Sequence, residues 1–157
     1  MAQQEQTLVL IKPDGINRGI IGEIIHRFER KGLKLAALKM VKLDDKILEE
    51  HYFHHKDKPF FKDLKDFMQL SPTVIMILEG NHAVSVVRAM AGPTSGYTAP
   101  PGTIRGDYSS SISHNVVHAS EDAKQAKIEI KRFFKSAEIF SYKKIDWEAI
   151  YAVDERL

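Results

Sequence analysis

A chain of 157 residues has the size of one domain, 1–157, and at that size roughly 70% of the unfolded surface is buried on folding, enough for a core without covalent staples. Its 23 Lys+Arg against 21 Asp+Glu leave a formal charge of +2, too balanced for a protein whose main partner is nucleic acid. The absence of cysteine excludes a disulfide framework, a thiolate metal centre and a cysteine nucleophile.

Thr7–Ile11 is a short β-rich run that reads as a buried strand, and Lys12-Pro13-Asp14-Gly15 after it reads as a turn. A helix is expected over Arg18–Lys31, with Ile20, Ile21, Ile24, Ile25 and Phe28 on one stripe and Gly32 as its C-cap. Leu33–Leu43 alternates loosely as a second strand. Asp44 and Asp45 are N-cap candidates for a helix across Ile47, Leu48, Tyr52 and His55, which Pro59 stops. A shorter helix is expected over Phe60–Met68, then a turn at Ser71-Pro72 and a third strand over Thr73–Leu78. Ala83, Val86, Val87 and Met90 stand at helical spacing, on the core face of an amphipathic helix. Residues 92–115 form a long Pro/Gly/Ser/Thr segment without a period, a kind of loop that often carries function. Val116–His118 reads as a last strand, and Glu121–Phe134 as a helix with Ala126, Ile130, Phe133 and Phe134 inward. Trp147, Ile150 and Tyr151 make the tail apolar enough to dock on the body or on a neighbouring subunit.

This order matches the split βαβ plan of an α+β, ferredoxin-like domain: a four-stranded antiparallel sheet with helices on one face, a helical insert and a long loop before the last strand. The longest apolar runs, such as Val74–Leu78, are far too short for a bilayer, and Met1–Gln6 lacks the basic and apolar regions of a secretory leader. The expectation is a cytoplasmic protein without a membrane partner.

The chain contains no P-loop, no Gly-x-Gly-x-x-Gly after a strand and no His-Glu-x-x-His. His51, His54 and His55 offer metal-ligand spacing, but they read as partly exposed helix histidines beside Lys56 and Lys58, with no carboxylate placed to complete a site. The informative stretch is Pro101–Asp107 followed by Asn115-Val116-Val117-His118-Ala119-Ser120. A rigid turn presents an arginine, and a histidine follows at a strand end with a serine two positions on. Taken singly, Arg105 reads as a surface arginine and His118 as a structural histidine.

Four blocks in order make the chain similar to the nucleoside diphosphate kinase family: Ile11–Gly15 with Arg18-Gly19, His51-Tyr52 with Lys58–Phe61, Pro101–Asp107, and Asn115–Ser120. The resemblance implies a phosphotransferase that moves a γ-phosphoryl group from a nucleoside triphosphate to a diphosphate by ping-pong transfer, with low base specificity. In that reading His118 takes the phosphoryl group, Glu129 orients its ring and Ser120 stands beside it. Lys12, Tyr52, Arg88, Thr94, Arg105 and Asn115 line the phosphates and sugar. Phe60 stacks on the base, Ile112 covers its other face, and Leu64 lies close by. Mg²⁺ is expected as cofactor through the nucleotide's phosphates, with no metal ligands from the protein. A homo-oligomer is implied, a hexamer or alternatively a tetramer. Ser95-Gly96-Tyr97, His114 and Glu121 depart from the family's usual residues.

Overall fold

The structure is a computed structural model and describes residues 4–156. Its centre is a four-stranded antiparallel sheet of β1 (Gln4–Ile11), β2 (Lys34–Val41), β3 (Thr73–Asn81) and β4 (Val117–Ala119), in the order β2-β3-β1-β4. The two central strands pair Leu8 with Ile77 and Ile11 with Val74. Among the described residues no helix is long and apolar enough to cross a membrane.

The helices are α1 (Pro13–Asn17), α2 (Ile21–Arg30), α3 (Asp45–His51), α4 (Phe61–Met68), α5 (Ala83–Ala91), α6 (Ile104–Tyr108), α7 (Ala123–Phe133) and α8 (Trp147–Ile150). The turn expected after β1 is thus the one-and-a-half-turn helix α1. Pro13 occupies its first position, where the missing N–H costs nothing and the fixed φ already suits a helix. Helix α2 starts three residues later than the expected Arg18 and ends at Arg30, and Gly32, at a φ of +99°, closes a left-handed cap. Asp44 caps α3 by accepting from Ile47 N at 2.9 Å, and Asp122 caps α7 by accepting from Gln125 N at 2.7 Å. Within the long 92–115 segment the chain makes α6, so the segment is ordered rather than a plain loop.

Helices cover both faces of the sheet, not one. Val9, Ile11, Val74, Met76 and Leu78 meet Ile24 and Phe28 of α2 and Ala83, Val87 and Ala91 of α5. Leu8, Leu10, Ile75 and Ile77 meet Leu48, Phe61, Phe67, Ile130 and Phe133 from α3, α4 and α7. The crossover helices take one face, as in the expected plan, and the insert and last long helix take the other. Removing a ring such as Phe28 from water contributes about 2–3 kcal/mol, so each layer is strongly driven to close. On α5 the fully buried positions are Ala83, Val87 and Ala91, while Val86 and Met90 are only half-buried.

The tail docks on its own chain. Trp147 Nε1 donates to Gly32 O at 2.9 Å, and the Tyr151 hydroxyl accepts from Asn81 N at 3.1 Å. Nearer the sheet, Phe140 N donates to Ala36 O and the Tyr142 hydroxyl to Leu35 O, which covers the start of β2's outer edge.

Candidate active site

β4 is only three residues long, and its middle residue is His118, opposite Leu10 of β1. Immediately before it the chain makes a tight turn: Val117 N donates to Asn115 O, with Val116 at a φ of +70°. A β-branched residue in that region stores about 1–3 kcal/mol of strain, so its surroundings must hold it there. They do so from both sides. Val116 N donates to Asp14 Oδ2 at 3.0 Å, and Val116 O accepts from Lys12 N at 2.8 Å.

His118 faces a cleft of about 760 Å³ lined also by Lys12, Tyr52, Arg88, Thr94, Arg105 and Asn115. Its Nε2 donates to Glu129 of α7, 3.1 Å from each carboxylate oxygen. Ser120 Oγ donates to Glu129 Oε2 at 2.6 Å, and Gln125 Nε2 to Oε1 at 3.2 Å. Burial by itself would raise the Glu129 carboxyl. The hydrogen bond from His118, the field of that ring when it carries a second proton and the Ser120 bond outweigh it and bring the group down to about 2. Glu129 is therefore ionised, and the hydrogen it accepts fixes the His118 tautomer. His118 Nδ1 keeps the lone pair.

The cationic wall is built with equal care. Lys12 is buried just beyond β1, and its ammonium donates to Asn115 Oδ1 at 2.7 Å. Asn115 is held in turn through Nδ2, which donates to Thr94 O at 2.9 Å and Ile112 O at 2.8 Å. Burial first, then the Arg105 charge, lower the Lys12 ammonium to about 8, with Asp14 opposing. A bound phosphate would reverse the field that lowers it.

Arg105 of α6 donates to three backbone carbonyls: Gly92 at 2.7 Å, Val117 at 2.7 Å and Asn115 at 3.3 Å. It buttresses the turn that carries His118 while leaving two N–H groups unspent. Burial and the nearby Arg88 bring it down to about 10, still cationic at neutral pH. Arg88, on the last turn of α5, is exposed at the cleft. Tyr52 is buried, its hydroxyl has no partner among the described residues, and burial together with Glu129 pushes it well above the ordinary phenol value.

The apolar residues expected around a base stand at the rim of this cleft rather than in its floor. Phe60 and Ile112 are 48% and 54% exposed; Phe60 is edge-on to His55, Ile112 O accepts from Asn115, and Leu64 packs partly against the core beneath α4. The structure joins their two segments by stacking Phe67 on His114, with ring centroids 4.1 Å apart.

His51 differs from its sequence reading. It is 2% exposed, edge-on to His118 at 4.7 Å between centroids, and its Nδ1 lies 4.0 Å from Glu129 Oε1. A carboxylate therefore does stand beside it, and His51, His118 and Glu129 place ligand-type atoms within 4.8 Å of one another. These atoms are committed elsewhere: both Glu129 oxygens accept hydrogen bonds, and the Arg132 guanidinium sits on His51 Nδ1 at 3.1 Å. A fixed cation at that spot opposes a metal ion.

Asp14, His51, Gln125 and Arg132 were not singled out from the sequence as parts of the site. For the last two a signal exists, since positions 125, 129 and 132 follow the helical i, i+4, i+7 spacing.

Comparison with known proteins identifies the family. The sequence profile described as nucleoside diphosphate kinase matches residues 5–139. The chain is similar to the nucleoside diphosphate kinase of Parabacteroides distasonis, 54% identical over 151 residues, covering 96% of this chain and 99% of that one. It is 60% identical over 143 residues to that of Staphylothermus marinus, covering 91% and 98%. Among solved structures it resembles the halophilic enzyme from Halobacterium salinarum in complex with CDP, with a TM-score of 0.93, 40% identity and coverage of 96% and 100%. It also resembles the Borrelia burgdorferi transition-state mimic with vanadate and ADP, with a TM-score of 0.86, 36% identity and coverage of 92% and 95%. With a buried carboxylate on a cleft-lining histidine, and matched from β1 to the start of its tail, the chain belongs to the nucleoside diphosphate kinase family.

Proposed function

We propose that His118 Nδ1 is the phosphoryl acceptor in a two-step transfer from a nucleoside triphosphate to a nucleoside diphosphate, within one domain spanning 1–157. The observation that carries this is the Glu129 carboxylate on His118 Nε2, which leaves Nδ1 as a neutral nitrogen nucleophile facing the cleft. The Nδ1 lone pair attacks the γ-phosphorus and the bond to the β–γ bridging oxygen breaks, releasing the diphosphate. The ring gains positive charge as the P–N bond forms, and the ionised Glu129 stabilises it. A β-phosphate oxygen of the second nucleotide then attacks phosphorus, and the electron pair of the P–N bond returns to Nδ1.

The transition state is loose and charge-rich, so fixed cations do most of the work. Lys12, Arg88 and Arg105 supply them, with Thr94 and Asn115 beside the phosphates and sugar. The cleft offers a divalent cation one uncommitted carboxylate, Glu121, so Mg²⁺ fits as an ion held mainly by the nucleotide's own phosphates. When bound, it neutralises phosphate oxygen charge. A cytoplasmic setting suits free nucleotides as substrates.

Phe60 and Ile112 would hold the base by stacking and dispersion, with Leu64 behind, and every base has a π-face to offer. Purines should therefore lead pyrimidines by about 1–2 kcal/mol at most. Incubation of the protein with ATP and GDP should yield GTP. Comparing kcat/KM for GDP, UDP and CDP tests the base contact, and a preference of many thousandfold for one base would overturn it.

We also read the protein as a closed homo-oligomer, a hexamer before a tetramer. β2 is an outer strand, and beyond the stretch covered by the tail it exposes Leu38 and Met40, 49% and 55% accessible. An unpaired edge with apolar side chains is unstable against pairing unless a partner covers it, and soluble assemblies close by symmetry. Light scattering that returned a monomer at micromolar concentration would refute this.

A further inference from the structure

Arg132 lies on α7, three residues beyond Glu129, and its side chain is 8% exposed. Its Nη1 stands 3.1 Å from His51 Nδ1, and its Nε donates to Glu50 Oε1 at 3.0 Å. A guanidinium carries only N–H donors, so the hydrogen between Arg132 and His51 belongs to Arg132. His51 Nδ1 therefore presents its lone pair, and the neutral ring carries its hydrogen on Nε2, which is buried without a partner among the described residues. That same Nδ1 is 4.0 Å from Glu129 Oε1. Were Arg132 absent, the opposite tautomer would point an N–H at Glu129, and a protonated ring would form an ion pair with it. Either outcome draws the carboxylate away from His118.

We infer that Arg132 is a positioning residue for phosphoryl transfer: by occupying His51 Nδ1 it keeps His51 in the Nε2–H form and reserves Glu129 for His118. The inference deepens the reading of His118 as nucleophile and rests on it. The groups that set the state of His51 are Glu50, Tyr52 and His54 from its own segment, Glu129 and Arg132 from α7, and His118 from β4. Burial foremost holds the His51 ring well below the ordinary imidazole value. His118, Arg132 and His54 act in the same sense, and Glu129 opposes them. With Arg132 gone, one of the charges keeping His51 neutral is lost while Glu129 remains.

The test is single-turnover phosphorylation of the full chain by γ-labelled ATP across the weakly acidic to weakly basic range. Wild type, Arg132→Met and Arg132→Lys are compared. In Arg132→Met transfer should slow across the range as the opposite tautomer engages Glu129, and the acidic limb of the rate profile should in addition move up by about one pH unit, a further loss of about tenfold at a pH on that limb. Arg132→Lys, which keeps a donor and a charge, should recover most of it. An unchanged profile in Arg132→Met, or an equal loss at every pH that lysine does not recover, would overturn the inference. Nitrogen NMR of the wild-type imidazoles requires no variant to fold: His51 should show a bare Nδ1 and a protonated Nε2, and the reverse would also overturn it. Wild-type protein that takes no label on His118 removes the nucleophile itself. Label on wild-type His118 with either adverse result above removes only the role of Arg132.

Discussion

His118→Ala should take up no phosphoryl label from γ-labelled ATP, whereas the wild type should label stoichiometrically without an acceptor nucleotide. Among the described groups beside the strained turn, the His118 ring is the one whose second nitrogen is engaged by a carboxylate that fixes its tautomer. Ser120 is the nearby hydroxyl, but its oxygen donates to Glu129 at 2.6 Å and is buried, so it is spent on orientation. The wild-type label should be acid-labile and base-stable, as a phosphoramidate is and a phosphoserine is not. Overall transfer in the variant should fall by about 10⁴-fold or more, the scale seen when a covalent nucleophile is removed. Label that survives in His118→Ala, or that maps to Ser120, defeats the mechanism.

Glu129→Gln separates orientation from nucleophilicity. The amide keeps the shape and can still accept from His118, but it carries no charge to balance the ring as the P–N bond forms. Transfer should slow by roughly ten- to a thousandfold while nucleotide affinity stays near the wild-type value, because Lys12, Arg88 and Arg105 are untouched. Rapid-quench rates measured beside equilibrium nucleotide binding would resolve the two. A variant with full transfer rate would reduce Glu129 to a packing residue. The same substitution has a signature in acid. The Glu129 carboxyl is depressed in the fold from the ordinary 4.5 to about 2, so its contribution to stability is complete above 4.5 and fades as pH falls toward 2. Glu129→Gln should lack that portion of the acid-induced loss.

Much of this was legible in the chain itself, for physical reasons that can be named. The runs Thr7–Ile11 and Thr73–Leu78 read as strands because they are β-rich and almost wholly apolar, and both are central. That apolarity also signalled burial on both faces, since a sheet with one wet face alternates. The expectation of helices on one face overlooked that signal. Asp44 and Gly32 marked helix ends through chemistry local to the backbone, which is why they were visible. His51 was not, because its burial is decided across the chain by Phe133 and His118 rather than by the lysines that follow it. The backbone role of Arg105 was hidden for the same reason: its acceptors are carbonyls, and carbonyls have no letter in the sequence. The blocks that resemble the family named the cleft's cations and its nucleophile, while the residues steadying them from behind emerged only from the packing.

The turn that presents His118 is held by contacts of very long reach. Lys12 meets Asn115 across 103 residues, and Asp14 meets Val116 across 102. Bringing such distant segments together has a large loop-closure entropy, and the strained Val116 offers no local preference to offset it. A fragment or a partly folded chain therefore cannot hold the nucleophile in place, even where α7 and its carboxylate have already formed. Reactivity at His118 becomes a property of the completed fold, and a nascent chain stays chemically silent until its first strand and its last have met.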